Sequence, residues 1–369
     1  MTNNVSHPSA LLKPEWVSMI RQHAFAAEQA GLLMPEQLEL IYEQKWFKLL
    51  VPQEYGGLQM PLNDLVRLEE ALSWADGSFG WTVTLCTGAG WFGGFTDPGA
   101  SRRIFADPKV CLAGSGASTG TAEVTDGGYL LNGHWRYASG VRHATHFTAN
   151  CIIQQDGQNR TNADGSPLIL PFVVNSDQAT QMSAWKYIGM MGTGSHAFTM
   201  GNAFAPTDRC FKIDPAAAVI NDPLYRYPFM QLAEATLAAN LSGMAIHFMD
   251  LAQPILDKKV VESRRMTPQH GEEMMRIYTE LKEELQHLRQ LFYEAFDASW
   301  EAGLLDIYTT DTLTPVSITS RKLARASREI VDKLYPYCGL QAASPDTEIN
   351  LAWRDLHTAS QHALLTFDV

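Results

Sequence analysis

The stretch of this sequence richest in chemistry is Asp126–His143, "DGGYLLNGHWRYASGVRH". Its pattern reads as a β-hairpin, with Asn132-Gly133 as a tight-turn signal. The second half carries Trp135, Arg136, Tyr137 and Ser139, which is more hydrogen-bonding and π chemistry than a plain sheet strand requires. A strand rich in Trp and Tyr is, taken alone, ordinary packing. A serine hydroxyl at its end can both donate and accept. Other candidate sites are easier to set aside. His143 and His146 form an H-x-x-H without the helical glutamate pattern of a zinc site, so no metal is expected. "GTGSHA" (Gly192–Ala197) matches a dinucleotide fingerprint only superficially, because no helix opens after it, and is read as a turn. Arg321, Lys322, Arg325 and Arg328 lie on one predicted helix, where a solvated face is the simpler reading and a cofactor phosphate the alternative.

The elements that must position these groups fall into three zones. From Pro14 to about Phe105 the apolar spacing is helical, interrupted by the loop "VPQEYGGL" and resumed in "PLNDLVRLEEALSWAD". From about Val110 to Arg209 short alternating or apolar runs separated by Gly, Asn, Asp and Pro indicate six to eight strands. From Pro228 onward long amphipathic helices return, with the third expected over Val316–Leu334 and the fourth over Ile349–Leu365. The expected fold class is therefore α+β. Residues 1–109 form an N-terminal helical domain, 110–222 a central β-domain and 223–369 a C-terminal four-helix bundle.

Composition is that of an ordinary globular protein, 46% hydrophobic and 18% charged. A formal charge of −12 argues against nucleic acid or an anionic membrane as partner, although a local basic cluster can still hold a phosphate. Five scattered cysteines with no C-x-x-C pair read as buried thiols in a reducing compartment. The N-terminus lacks a secretory pattern and no run of 18 apolar residues exists, so a cytoplasmic location is expected.

The α–β–α order resembles the acyl-CoA dehydrogenase superfamily, and four motifs in sequence carry the likeness. "LLVPQEYGGLQMPLNDLVRLEEALSWADGS" is similar to the family's P-x-x-Y-G-G loop and following helix. "GGYLLNGHWRYASG" resembles its flavin-contacting hairpin, and "YIGMMGTGSHAFTMGNAFAPTDR" the strand pair closing the β-domain. "WRDLHTASQHALLT" resembles the final helix with its Arg-Asp opening.

In many true dehydrogenases a catalytic glutamate follows that arginine by nine residues, but here the position is Ala363, which cannot accept a proton. Some relatives carry the base on the first bundle helix, for which Glu234 is the fallback, about one residue out of register. The resemblance is closer to the flavin-dependent monooxygenases that receive reduced flavin from a separate reductase. In that branch it implies Ser139 and His362 at the place where oxygen-activated flavin meets substrate. A histidine can take a phenolic proton near neutral pH. His357 would lie about 140° around the same helix from His362, which excludes a shared metal face. A further histidine found in some members is absent from "GWTVTLCTGAGWF".

The resemblance also implies flavin contacts at Ser115 and Thr121 in "AGSGASTGTAEV". It adds Tyr137 flanking the ring, Trp135 on the same face and Ser139 near N5. Gly339 and Gln341 in "YPYCGLQAAS" would approach the flavin of a neighbouring subunit. The family's R-x-x-F-G stretch is not visible in "LDKKVVESRRMTPQ", so the flavin is expected to be loosely held FAD, or FMN. A homotetramer acting on a small organic molecule is implied. A true acyl-CoA dehydrogenase and a non-catalytic relative of the same fold are the alternatives.

Overall fold

The computed structural model describes residues 5–263 and 267–367. Residues 264–266, inside the stretch searched for R-x-x-F-G, lie outside them. Six helices come first: α1 (Pro14–Gln22), α2 (Ala24–Ala30), α3 (Pro35–Glu43), α4 (Leu62–Ala75), α5 (Gly77–Gly90) and α6 (Pro98–Phe105). Seven strands follow: β1 (Leu112–Thr125), β2 (Gly128–Ala138), β3 (His146–Gln155), β4 (Gln158–Asn159), β5 (Ile169–Asn175), β6 (Thr180–Met182) and β7 (His196–Pro206). The C-terminal region is helical: α7 (Pro223–Arg226), α8 (Phe229–Ser263), α9 (Pro268–Leu304), α10 (Thr310–Cys338), α11 (Leu340–Ala343), α12 (Glu348–Ala359) and α13 (Ala363–Thr366).

The strands make one mixed sheet, ordered β4-β3-β1-β2-β7-β6, with β5 on the same edge of β3 as β4. The β1–β3 pair is parallel and the other pairs are antiparallel. The sheet curls until β5 meets the chain beyond β7, where Phe172 bridges to Cys210 and the Phe211 amide donates to the Pro171 carbonyl at 3.1 Å.

Asn132-Gly133 is not the hairpin turn. The turn falls at Asp126-Gly127, and Asn132 and Gly133 lie inside β2, paired with Thr121 and Gly120. The reason is the Trp135 indole, which packs over both glycines: a Cβ on Gly120 would sit 2.1 Å from its ring and one on Gly133 2.8 Å from it. The glycine signals close approach across a sheet here, not a reversal.

Two hydrophobic cores hold the molecule. One lies in the curled sheet around Trp135, Phe147, Phe172 and Phe198. The other is shared by the N- and C-terminal helices, from Leu12 through Leu72 and Phe248 to Leu365. The two helical zones join through α4, which packs along α8. Gly243 permits this contact, since a Cβ there would meet the Glu70 carbonyl at 2.2 Å.

At the same crossing Glu70 is buried with every carboxylate bond satisfied. Arg289 donates through Nε at 2.8 Å and Nη2 at 2.7 Å, Ser242 Oγ at 2.6 Å and the Tyr293 hydroxyl at 2.8 Å. Breaking such a pair strands the surviving charge in low dielectric. Arg289→Met is therefore expected to lower unfolding free energy by about 3–5 kcal/mol, read by urea titration, without moving the β-domain's own signals.

Candidate functional site

The hairpin strand ends at a ladder of buried hydroxyls. Ser139 Oγ lies 2.8 Å from Ser195 Oγ, which lies 2.6 Å from Thr193 Oγ1, and Thr193 donates to the Met190 carbonyl at 2.6 Å. Donor counting sets its direction. With the Thr193 proton on Met190, Thr193 accepts from Ser195, and Ser195 in turn accepts from Ser139. Ser139 also accepts from Trp81 Nε1 at 3.2 Å. One lone pair of Ser139 is left for a ligand.

Backbone conformation makes this possible. Ser139 is followed by Gly140 at φ +77°, where a Cβ would press to 2.6 Å from Cys86 Sγ. Thr193 and Ser195 sit on a turn with Met190 at φ 57° and Gly194 at φ 56°. That turn is pinned from the C-terminal helices. Asp355 of α12 accepts from the Met190 amide at 2.5 Å and from Ser78 Oγ of α5 at 3.2 Å. Gly189 packs directly on the Arg354 carbonyl, 2.2 Å from where a Cβ would be.

His362 reaches the same place from the C-terminus. Its ring lies 6.0 Å from the Trp81 ring, tilted by 60°. The final helix does not run through it: α12 ends at Ala359, and His362 caps α13, its Nδ1 accepting from the Leu364 amide at 3.4 Å. The 140° relation to His357, which assumed one continuous helix, therefore does not hold; His357 instead bonds Asp332 at 2.7 Å. Burial pushes the His362 pKa below its ordinary value, so the ring is neutral at pH 7. Ser139, Trp81 and His362 thus converge from β2, α5 and the C-terminal end.

The other predicted residues divide. Tyr137 has φ 65° and is 55% exposed, because a bulge between Trp135 and Ala138 breaks the β2–β7 register. It therefore does not share a face with Trp135. Trp135 is fully buried, stacks on Phe198 at 5.2 Å and donates to the Asn150 carbonyl, so it is core and presents no surface to a cofactor. Tyr137 belongs to an exposed aromatic shelf with Trp185 and Tyr187, whose rings lie 6.2 and 6.5 Å away. His196 anchors that shelf, its Nδ1 accepting from the amides of Ala184 and Trp185.

Ser115 and Thr121 flank a break in the β1–β3 ladder, between Ser115 and Gly120, that leaves residues 116–119 exposed. Glu234 is buried and its Oε1 is ion-paired with Arg321 at 2.9 Å, which ties the side chain to α10. Arg321 is accordingly not on a solvated face; its Nε also donates to the Phe367 carbonyl at 2.7 Å. Gly339 and Gln341 lie at the α10–α11 junction, with Gly339 at φ 69° against the Lys259 ammonium. His143 accepts from the Leu33 amide, a structural role.

Trp81, Thr193, Ser195 and Asp355 were not singled out from sequence. A lone indole on a helix of small residues was the available signal for Trp81, and the Arg-Asp pair for Asp355. The hydroxyl ladder had no signal, since its turn reads only as Gly-rich.

The residues fit a flavin nucleotide. The shelf gives an exposed aromatic patch, its rings inclined by 52–86° to one another, two residues along the chain from Ser139. Arg136, whose guanidinium lies 5.3 Å from the Tyr137 ring, and Arg142, bonded to Gln181 and Ser183, have no carboxylate partner among the described residues. Two unneutralised guanidinium groups beside an aromatic surface suit a phosphate-bearing ring system.

Comparisons agree. Residues 235–367 match the family model of the acyl-CoA dehydrogenase C-terminal domain. The solved HsaA monooxygenase from M. tuberculosis superposes with a TM-score of 0.86 at 22% identity, covering 95% of this chain and 93% of that one. XiaF from Streptomyces, solved with FADH2 and glycerol, superposes at 0.83 and 20% identity, over 95% and 89%. Residues 235–367 thus carry the likeness to the acyl-CoA dehydrogenase C-terminal domain, and the whole chain shares the fold of these two solved proteins. In sequence it is 26% identical to the flavin-dependent monooxygenase oxygenase subunit HsaA of Mycobacterium tuberculosis, over 93% of this chain and 88% of the relative. It is 24% identical to the indole-3-acetate monooxygenase of Pseudomonas putida, over 86% and 80%. These relatives are flavin-dependent monooxygenases, the branch to which Ala363 and His362 point by resemblance.

Burial and mutual repulsion raise the carboxyl pKa of Asp355 to about 7 and burial that of neighbouring Asp76 to about 6. Both lie above the unfolded value, so their contribution is complete below about pH 4 and is lost as pH rises through 6 to 7. Glu69, pushed up to about 8 by burial, extends the trend. Asp355→Asn, which keeps an acceptor for Met190, should flatten the fall in Tm between pH 4.5 and 7.5. An unchanged slope would remove Asp355 as its source.

Proposed function

We propose that this chain is the oxygenase component of a two-component monooxygenase. It takes FAD or FMN reduced by a separate flavin reductase and inserts one atom of O2 into a small aromatic substrate. The bound reduced flavin supplies the oxygen-activating chemistry. The observation that carries the reading is the convergence of Ser139, Trp81 and neutral His362, with Ala363 where a dehydrogenase would place its carboxylate and Glu234 held by Arg321.

In this reading Ser139 holds the reactive edge of the ring system in place and Trp81 fixes the Ser139 hydroxyl. His362 orients the substrate and takes its ionisable proton. Tyr137, with Trp185 and Tyr187, supports the ring face. Ser115 and Thr121 border the exposed loop that would meet its polar edge and phosphate. The sheet from 110–222 then carries the flavin, the helices of 1–109 close the substrate side, and the four-helix bundle of 223–369 supplies His362 and a tetramer interface. Gly339 and Gln341, beside the 89% exposed Leu340, are in a position to meet a neighbouring subunit. No helix among the described residues is long and apolar enough to cross a membrane.

The test is turnover with chemically reduced FAD or FMN, labelled dioxygen and a panel of phenols and indoles. Oxygen incorporation into product is expected; release of hydrogen peroxide alone with every substrate would overturn the reading. His362→Ala should lower hydroxylation by about 100-fold or more. Because the His362 pKa is depressed, the wild-type rate should hold down to below about pH 6.5 and then fall as the ring protonates. The acid limb should vanish in the variant. Ser139→Ala should raise the peroxide fraction per flavin oxidised.

A further inference from the structure

A cavity of about 430 Å³ lies in the N-terminal helical zone, lined by residues that the oxygenase reading does not use. Its walls combine the rings of Tyr42, Tyr55 and Phe105 with three cations, Lys45, Lys48 and Arg102, against a single carboxylate, Glu54. Arg102 and Glu54 already pair at 3.4 Å, so the surplus charge is that of the two lysines.

Lys48 is only 7% exposed. Its ammonium donates to the Phe105 carbonyl at 2.8 Å, and no carboxylate lies within ion-pair distance of it among the described residues. Burial and then the neighbouring Lys45 push its pKa down, with only Asp107 opposing. A buried ammonium with two protons free and no counter-charge is costly unless something supplies the charge. Tyr55, 5% exposed, lines the same space, and burial followed by its contact with the Glu54 carboxylate raises its pKa to about 12, so it stays protonated. A buried ammonium without a carboxylate partner and an exposed lysine with no ion pair among the described residues therefore line one space.

We propose that this cavity binds an organic anion: a carboxylate or phosphate head held by Lys48 and Lys45, with a flat apolar body against Tyr42, Tyr55 and Phe105. Its volume is that of a small-molecule site, several times what a bare inorganic anion occupies. The aromatic walls would be wasted on phosphate alone. Folding makes the site from the loop after α3: Lys45 adopts φ 55°, which turns the chain sharply into Trp46–Lys48, and Gly56 at φ 81° returns it beside Tyr55.

Calorimetric titration of the full chain with benzoate, benzamide and inorganic phosphate tests this. One saturable benzoate site per chain is expected, at least ten-fold weaker for benzamide and for phosphate. Lys48→Met, which keeps the apolar stem, should abolish benzoate binding. Lys45→Ala, at an exposed position that does not threaten folding, should weaken it about ten-fold. Ser139→Ala should leave it unchanged, so the result is independent of the oxygenase reading. No saturable binding, equal binding in Lys45→Ala, loss of binding in Ser139→Ala, or phosphate binding more tightly than benzoate would each overturn the proposal.

Discussion

The arrangement of the proposed site depends on one buried carboxyl group. Asp355 projects from α12 of the C-terminal region, takes the Met190 amide of the β-domain turn and touches Ser78 at the start of α5. Those three elements carry, respectively, His362 a few residues on, the Thr193–Ser195 hydroxyls and Trp81. Apolar packing joins the turn to the helices, since Met190 is buried in the helical core, but packing alone is not directional. A buried polar link is, and leaving either partner unpaired is costly. Gly189 and Gly77 exist at the same seam because a Cβ would meet Arg354 at 2.2 Å in the first case and Asp355 at 3.1 Å in the second.

The ladder that Asp355 positions is a lesson in hydrogen-bond arithmetic. Each hydroxyl has one proton, and the terminal acceptor is a main-chain carbonyl that cannot reverse its role. The direction of every bond back to Ser139 follows. Trp81 completes the set, since an indole N–H only donates. Together they turn an ordinary serine into a group whose remaining function toward a ligand is to accept. His362, whose pKa burial lowers, lies with its ring 6.0 Å from the same indole.

Helix-to-helix anchoring works differently at Glu70. There a full complement of four donors surrounds an ion pair that spans α4, α8 and α9, and the N-terminal helices become part of the same core as the bundle. The anion cavity is the reverse case, an ammonium left without its counter-charge. Comparing the two distinguishes a structural charge from one that awaits a ligand.

Sequence alone made legible the α–β–α order, a strand count within its expected range and the likeness to flavin-dependent monooxygenases of the acyl-CoA dehydrogenase fold. These rest on periodicity and on motifs local in the chain, which pattern reading captures. Tertiary structure decided the rest. Asn-Gly spells a turn, but packing of Trp135 across Gly120 and Gly133 put it inside a strand. Alternation predicts Trp135 and Tyr137 on one face, but a bulge sent one into the core and the other to the surface. Glu234 looked like a free base until Arg321 arrived from a helix 87 residues later. Trp81 and Ser139, 58 residues apart, meet only because α5 packs on the β-domain. What a residue's type permits is written in the chain; which partner uses up that capacity depends on contacts between distant segments, and those exist only once the protein has folded.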